Sequence, residues 1–419
     1  MKFVADFHIH SKYSRATSPL MDLENLDRWA KIKGIKVLGT GDFTHPKWFE
    51  DIKKELEPAE PGLFKLKNGD SGTRFILTSE ISCIYPKGGK VRKIHIIVFA
   101  PSIETVEKIN KKLGEIGNLK ADGRPILGLD AKDLAKIVLD ADENCLVVPA
   151  HAWTPWFSVF GSKSGFNSLE ECFDEYTKYI YAIETGLSSD PAMNWRLSQL
   201  DKITLISNSD AHSLPKIGRE ANVFDTELSY NAIVEALKIK DKNKFLYTIE
   251  FFPEEGKYHY DGHRSCNISL NPEESKKYNN ICPVCGKPLV IGVLNRVAEL
   301  ADRPEGFLPK NVISFKSLIP LNEVIAESIG VSLASKEVSR YYNDLIKNLG
   351  SELQILLEST EKEIKEKSSP EIADGIMRMR EGKVYIDPGY DGVYGKVKIF
   401  AGEDNSKSKN SVINQKTLF

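Results

Sequence analysis

The stretch "DFHIHSKYS", Asp6 to Ser14, ends a short apolar run in two histidines one residue apart. Side chains on a strand alternate faces with a period of two, so His8 and His10 point the same way and their imidazoles can reach one ion. A solvated surface pair has the same spacing, so the reading depends on what the remaining strands carry.

Over about the first 250 residues, β-rich runs alternate with polar helical stretches, the pattern of an α/β domain. Seven runs stand out: "FVADFHIH", "KVLGTGDF", "RFILTSEIS", "KIHIIVFA", "CLVVPAH", "YIYAIETG" and "TLISNSDAH". Each carries ligand-type side chains near one end: His8 and His10, Asp42 with His45, Glu80, His95, His151, Glu184, and Asp210 with His212. In a barrel of parallel strands the C-terminal strand ends meet at one face, so these groups would converge there. His95 fits least well, because it opens its run. Glu184 alone reads equally as a buried, hydrogen-bonded carboxylate. The set exceeds what one ion takes, since a catalytic zinc uses about three protein ligands, so two or three divalent ions are implied. Imidazole mixed with carboxylate suits Zn, Mn or Fe, with Mg at the carboxylate-rich end. Clustered ions with open positions recur where water is activated and a phosphoryl oxygen clamped, which makes phosphoester hydrolysis the leading class.

The bulk properties narrow the field. A chain of 419 residues suggests two or three domains. The net charge of -2 means that any nucleic acid must be held by local basic patches. No apolar stretch approaches a membrane span and no secretory signal opens the chain, so a cytoplasmic protein is expected. Only three glutamines occur, a bias of proteins from hot environments. The expected organisation is a barrel over 1–252, a small zinc-binding module over 253–292, a mainly helical domain over 293–400 and a flexible tail over 401–419. In the helical part, "SKEVSRYYNDLIKNLGSELQILLES" places Val338, Tyr341 or Tyr342, Leu345, Leu349, Leu353 and Leu356 on one face of a helix capped by Ser335. Pro370 opens another helix, and "PGYDGVYG" carries an Asp-Gly hairpin signal.

Outside the barrel, "HRSC" and "CPVC" pair His263 and Cys266 with Cys282 and Cys285, the spacing of a tetrahedral structural zinc. His259 is the alternative fourth ligand. Near the strand ends, "YPKGGKVRK" places Lys87, Lys90, Arg92 and Lys93 on a Gly-containing loop where they could meet phosphates; a solvated hairpin tip reads the same. The aromatic loop after His151 offers Trp153 and Trp156 for stacking on a base, or simply as a lid on the barrel.

In order, "DFHIHSKYS", "GTGDFTH", "TSEIS", "KIHIIVF", "VPAHAW" and "SNSDAHS" resemble the motifs of the PHP (polymerase and histidinol phosphatase) family. That resemblance implies a distorted (β/α)7 barrel around a trinuclear metal site. By position it implies His8, His10, Glu80 and Asp210 for one ion, and Glu80, His95 and His151 for a second. Asp42 or His45 with His212 would serve the third. Together with the His-Cys/Cys-Cys module, "GVLNRVAELADRPEG" and "PGYDGVYGKVKIF", the whole chain resembles the endonuclease Q family. The likeness implies hydrolysis of DNA on the 5′ side of hypoxanthine, uracil, xanthine or an abasic site. The terminal "QKTLF", with Gln415, Leu418 and Phe419, resembles a peptide that docks on the replication sliding clamp. Alternatives are a PHP-type phosphomonoesterase, a 3′-5′ exonuclease, and a clamp-tethered DNA-binding adaptor without catalysis.

Overall fold

The structure, a computed structural model, describes residues 1–69 and 71–400. It divides into two compact units. The first comprises Met1–Lys31, Ile35–Ile249 and Arg296–Phe315; the second comprises Ile32–Gly34, Glu250–Asn295 and the chain from Lys316. Among the described residues no helix is long and apolar enough to cross a membrane.

The first unit is built on β1 (Lys2–Asp6), β2 (Val37–Gly39), β3 (Arg74–Lys87), β4 (Lys90–Ala100), β5 (Ile126–Leu127), β6 (Leu146–Pro149), β7 (Ala182–Glu184), β8 (Thr204–Ile206), β9 (Ala221–Asp225) and β10 (Phe245–Glu250). Each of the seven runs overlaps one of these strands. β1, β2 and β3 are parallel neighbours. β4 is antiparallel to both β3 and β6, and β7 and β8 form a parallel pair. The gap from β6 to β7 is bridged by Ala152 N–H donating to Glu184 O at 2.9 Å. From β8 back to β1, Ile9 bridges Ala211 and His10 N–H donates to Ala211 O at 2.9 Å. The strands therefore close on themselves in a distorted mixed barrel, not the all-parallel ring assumed from the sequence. β9 and β10 continue from β1 as antiparallel strands.

This mixed topology accounts for His95. β4 starts at Lys90, so His95 lies in mid-strand, and reversal of the strand brings it to the face where parallel neighbours end. In the β3–β4 register Glu80 opposes Ile97 and Ser82 opposes His95, which makes Glu80 and His95 diagonal neighbours on one face. That face also supplies the core: Phe3, Phe7, Val37, Ile76, Ile97, Phe99, Val148, Ala182 and Ile206 form a buried cluster. Phe7 and Phe99 meet edge-on at 5.3 Å. Burial of each large apolar side chain contributes about 1.5–3 kcal/mol. Glu80 has the parity of Ile76, and Glu184 that of Ala182, so alternation carries the strands from an apolar floor to a polar mouth.

The second unit contains the hairpin of β11 (Asp261–His263) and β12 (Ile268–Leu270), followed from Lys316 onward by short helices. The long helix expected across Val338 to Leu356 is broken. Lys336–Leu349 ends at Gly350, whose φ of +102° suits glycine, and Glu352–Leu357 is a separate helix capped by Ser351. Ser335 caps the first, Pro370 opens Pro370–Arg380, and Asp391-Gly392 turns the final hairpin with both residues at positive φ. Buried Glu352 accepts hydrogen bonds from Lys33 Nζ and Tyr342 Oη, each at 2.6 Å.

Candidate metal centre

Two groups of potential ligands share one carboxylate. His8, His10, Glu80 and Asp210 form the first and Glu80, His95 and His151 the second, with the donor atoms in each group within 4.8 Å of one another. Glu80 divides its oxygens between them. Oε2 lies 3.1 Å from His10 Nε2 and 3.4 Å from His8 Nε2; Oε1 lies 2.7 Å from His95 Nδ1 and 3.1 Å from His151 Nε2. Asp210 Oδ1 completes the first group, 3.1 Å from His10 Nε2. Nε2 of His8 and of His10 and Asp210 Oδ1 are buried yet lack a hydrogen bond of proper geometry. Buried polar atoms left unpaired in this way are costly, and these three converge, with Glu80, to within 4.8 Å of one another. The donor set and this convergence fit a divalent ion.

The far ring nitrogens are held. His8 Nδ1 meets Glu184 Oε1 at 3.0 Å, His10 Nδ1 meets Asp42 Oδ1 at 3.0 Å, and His151 Nδ1 meets Thr154 Oγ1 at 3.1 Å. Such partners fix each ring's orientation and turn Nε2 toward an ion. Glu184 also accepts from His151 N–H at 2.8 Å and Asn208 Nδ2 at 2.9 Å. Asp42 Oδ2 accepts from Ser11 N–H and Ser11 Oγ, both at 2.7 Å, and from Ser14 Oγ at 2.9 Å. Both carboxylates thus stand behind histidines.

The residues expected to serve a third ion form no such group among the described residues. Asp42 is occupied by these donors, His45 stacks on Tyr13 at 4.5 Å, and His212 Nδ1 bonds the Asp210 carbonyl at 2.9 Å. Sequence reading could place them near a strand end but not orient their side chains.

The backbone at this mouth is strained. Asp42, His151 and Asp210 sit at φ of 48°, 29° and 46°, in the left-handed region that L residues rarely occupy. Gly186, at φ +63°, lets the β7 end pass His151, where an added Cβ would lie 2.6 Å from the histidine's own.

Charge within the site is mutually compensated. Burial opposes protonation of His8, but Glu184, Glu80 and Asp210 outweigh it and hold its pKa well above the ordinary value. His10 behaves likewise, with Asp42 the main opposing charge. Burial alone would raise Glu80, yet His95, Arg124 and His8 hold it well below the usual carboxylate range. His95 is pushed down to about 4, chiefly by burial.

Sequence reading missed Arg124, whose Nη1 donates to Glu80 Oε2 at 2.9 Å. It lies in "ADGRPI", a loop without periodicity, and nothing in that string announces its neighbour.

The residues expected to touch DNA are placed unevenly. Lys87 is tied to Asp174 Oδ2 at 3.0 Å and the Cys172 carbonyl at 3.1 Å. Arg92 bonds the Gly165 carbonyl and covers the Phe166 ring. Trp153 is a correction: it is buried at 1% exposure and donates Nε1–H to Asn194 Oδ1 at 2.8 Å, so its ring is core. Lys90 and Trp156 are exposed, and Lys93 Nζ sits 4.9 Å over the Trp156 ring.

In the second unit His263, Cys266, Cys282 and Cys285 bring their donor atoms within 4.8 Å of one another. His263 Nδ1 lies 3.6 Å from Cys285 Sγ. His259, the alternative ligand, is buried away from this group, and burial pushes its pKa down to about 4. The clamp-like Gln415, Leu418 and Phe419 lie outside the described residues.

Comparison with known proteins adds relatives along the whole chain. Residues 320–383 match the family described as the MJ0043 C-terminal domain. The protein MJ0043 of Methanocaldococcus jannaschii is 34% identical over 255 residues, covering 59% of this chain and 31% of its own length. The chain thus spans about a third of that relative. YqxK of Bacillus subtilis is 30% identical over 413 residues, 95% of this chain and 99% of the relative. Among solved structures, the lesion-specific endonuclease PfuEndoQ of Pyrococcus furiosus superposes with a TM-score of 0.85 at 31% identity over 95% of each chain. An endonuclease Q solved with a 27-mer duplex bearing an abasic lesion at its active site gives 0.83 at 30% identity, over 97% of this chain and 100% of the other.

Proposed function

The chain belongs to the endonuclease Q family, and from that premise we propose that it is a metal-dependent DNA repair endonuclease. Its reaction is hydrolysis of the phosphodiester 5′ of deaminated bases (hypoxanthine, uracil, xanthine) and of abasic sites. The observation that carries this reading is the division of Glu80, one oxygen toward each of two ligand groups. Two divalent ions seated there would activate water and clamp the phosphoryl oxygens. The chain's own part is to hold that arrangement. Glu184 and Asp42 fix the rings of His8 and His10, Thr154 fixes His151, and the buried surroundings keep the field strong. A damaged or absent base is cheap to unstack, which supplies part of the selectivity before any pocket contact.

The His263-Cys266-Cys282-Cys285 group carries a structural zinc in this reading and supports a module that grips the duplex. The tail with Gln415, Leu418 and Phe419 tethers the enzyme to the sliding clamp, raising its local concentration at replicated DNA. The deciding experiment uses a labelled duplex with one deoxyinosine, an undamaged control and a chelator control, with Mg or Mn. A single metal-dependent cut immediately 5′ of the lesion is expected. Equal digestion of both duplexes, or none, would remove lesion-specific cleavage.

A further inference from the structure

Arg124 has no place in the two ligand groups, yet its guanidinium touches their shared carboxylate. Its Nη1 donates to Glu80 Oε2 at 2.9 Å. A guanidinium carries five N–H donors, and the side chain's others make no hydrogen bond among the described residues. The side chain keeps 27% exposure, so those donors can reach a ligand from solvent.

The loop that presents Arg124 is fastened on both sides. Asp122 Oδ1 accepts from Arg124 N–H at 3.1 Å and from Arg15 N–H at 3.2 Å. Gly123 N–H donates to Tyr13 O at 3.1 Å, and its carbonyl accepts from Thr44 Oγ1 at 3.2 Å. Beyond it, Ser82 N–H donates to Pro125 O at 3.0 Å, and β5 pairs with β3. Gly123 passes so close to the site that an added Cβ would lie 2.3 Å from both Asp42 Oδ2 and Ser14 Oγ. The chain has thus ordered a guanidinium against Glu80 through contacts with three other segments of the centre.

Two divalent ions seated beside this guanidinium would add positive charge that Glu80 alone does not offset, which favours a further anion there. An arginine fork matches phosphate oxygens in shape and charge. We propose that Arg124 is a catalytic residue that binds a non-bridging oxygen of the scissile phosphodiester and steadies the charge that builds there. This rests on the endonuclease reading, and it adds a phosphate ligand supplied by the protein itself.

The test compares wild type, Arg124→Ala and Arg124→Lys for single-turnover cleavage of the deoxyinosine duplex and for bound metal by mass spectrometry. Loss of one such preorganised donor typically lowers turnover by about 10²–10³-fold. R124A should fall by that order with metal content unchanged and regain activity when guanidinium ions are added. R124K, which keeps the charge without the fork, should fall less, and it stands in if the alanine variant fails to fold. Full activity in R124A, or a loss of activity that tracks a loss of metal, would overturn the proposal; the latter would make Arg124 only a support for Glu80. An inactive wild type would instead sink the endonuclease reading.

Discussion

The two candidate metal regions are built in opposite ways. In the first unit the ligand-type residues run from His8 to Asp210, come from separate strands, and are mostly buried with a second partner behind each of His8, His10 and His151. In the second unit all four donors fall between His263 and Cys285, on short elements with Cys285 exposed. A site assembled by a large core exists before its ion arrives, whereas a short, poorly buried segment depends on the ion for its shape. Under the proposed function, this contrast would separate ions that serve chemistry from an ion that serves folding.

The largest effect that tests this contrast is at Asp210. Asp210→Asn should reduce cleavage of a lesion duplex by at least about 10³-fold, as expected when a group acting with an ion is lost, with the melting temperature and DNA binding little changed. Collapse of the fold instead would mean that the first region also needs its ion to form. Next, Cys282→Ser or prolonged treatment with a strong chelator should open the segment around 261–290 to limited proteolysis while 1–249 stays protected. Uniform protection would remove the structural zinc. Smaller losses are expected behind the ligands: Glu184→Gln and Asp42→Asn should each weaken metal binding or activity by about 10–100-fold, read by metal titration.

The gentlest probe is pH. In the chelated protein, His8 and His10 have pKa values raised well above 6.5, so their ion pairs stabilise fully below that value, and this stability is lost as pH rises through the raised values. An incoming ion must displace those protons. Its affinity should therefore fall about tenfold per displaced proton for each unit of falling pH. A melting series across pH, with and without metal, checks both signs.

Much of the frame was legible because it follows from period-two alternation. His8 and His10, Glu80 and His151 could be picked out at strand ends, and all seven runs became strands. What escaped was direction in space. A parallel ring was assumed, so the mid-strand His95 looked out of place until β4 proved antiparallel. Side-chain orientation was equally hidden: Glu184 and Asp42 share residue type with true ligand candidates but face the backs of imidazoles, and Trp153 turns inward. Arg124 reaches the centre only through tertiary contacts of a loop. Gly350, by contrast, was visible in the sequence and was overridden by an apolar stripe that continued beyond it.

The left-handed backbone at Asp42 and Asp210 also bears on how the family can drift. Conformation there tolerates Gly, Asn and Asp best. In the proposed reading Asp42 orients a histidine and Asp210 offers an oxygen, parts that a short carboxylate fills best. Aspartate satisfies both filters, whereas glutamate, the ordinary conservative exchange, fails the backbone one. Drift at these positions would therefore run through asparagine, which keeps the conformation and an acceptor oxygen but loses the charge.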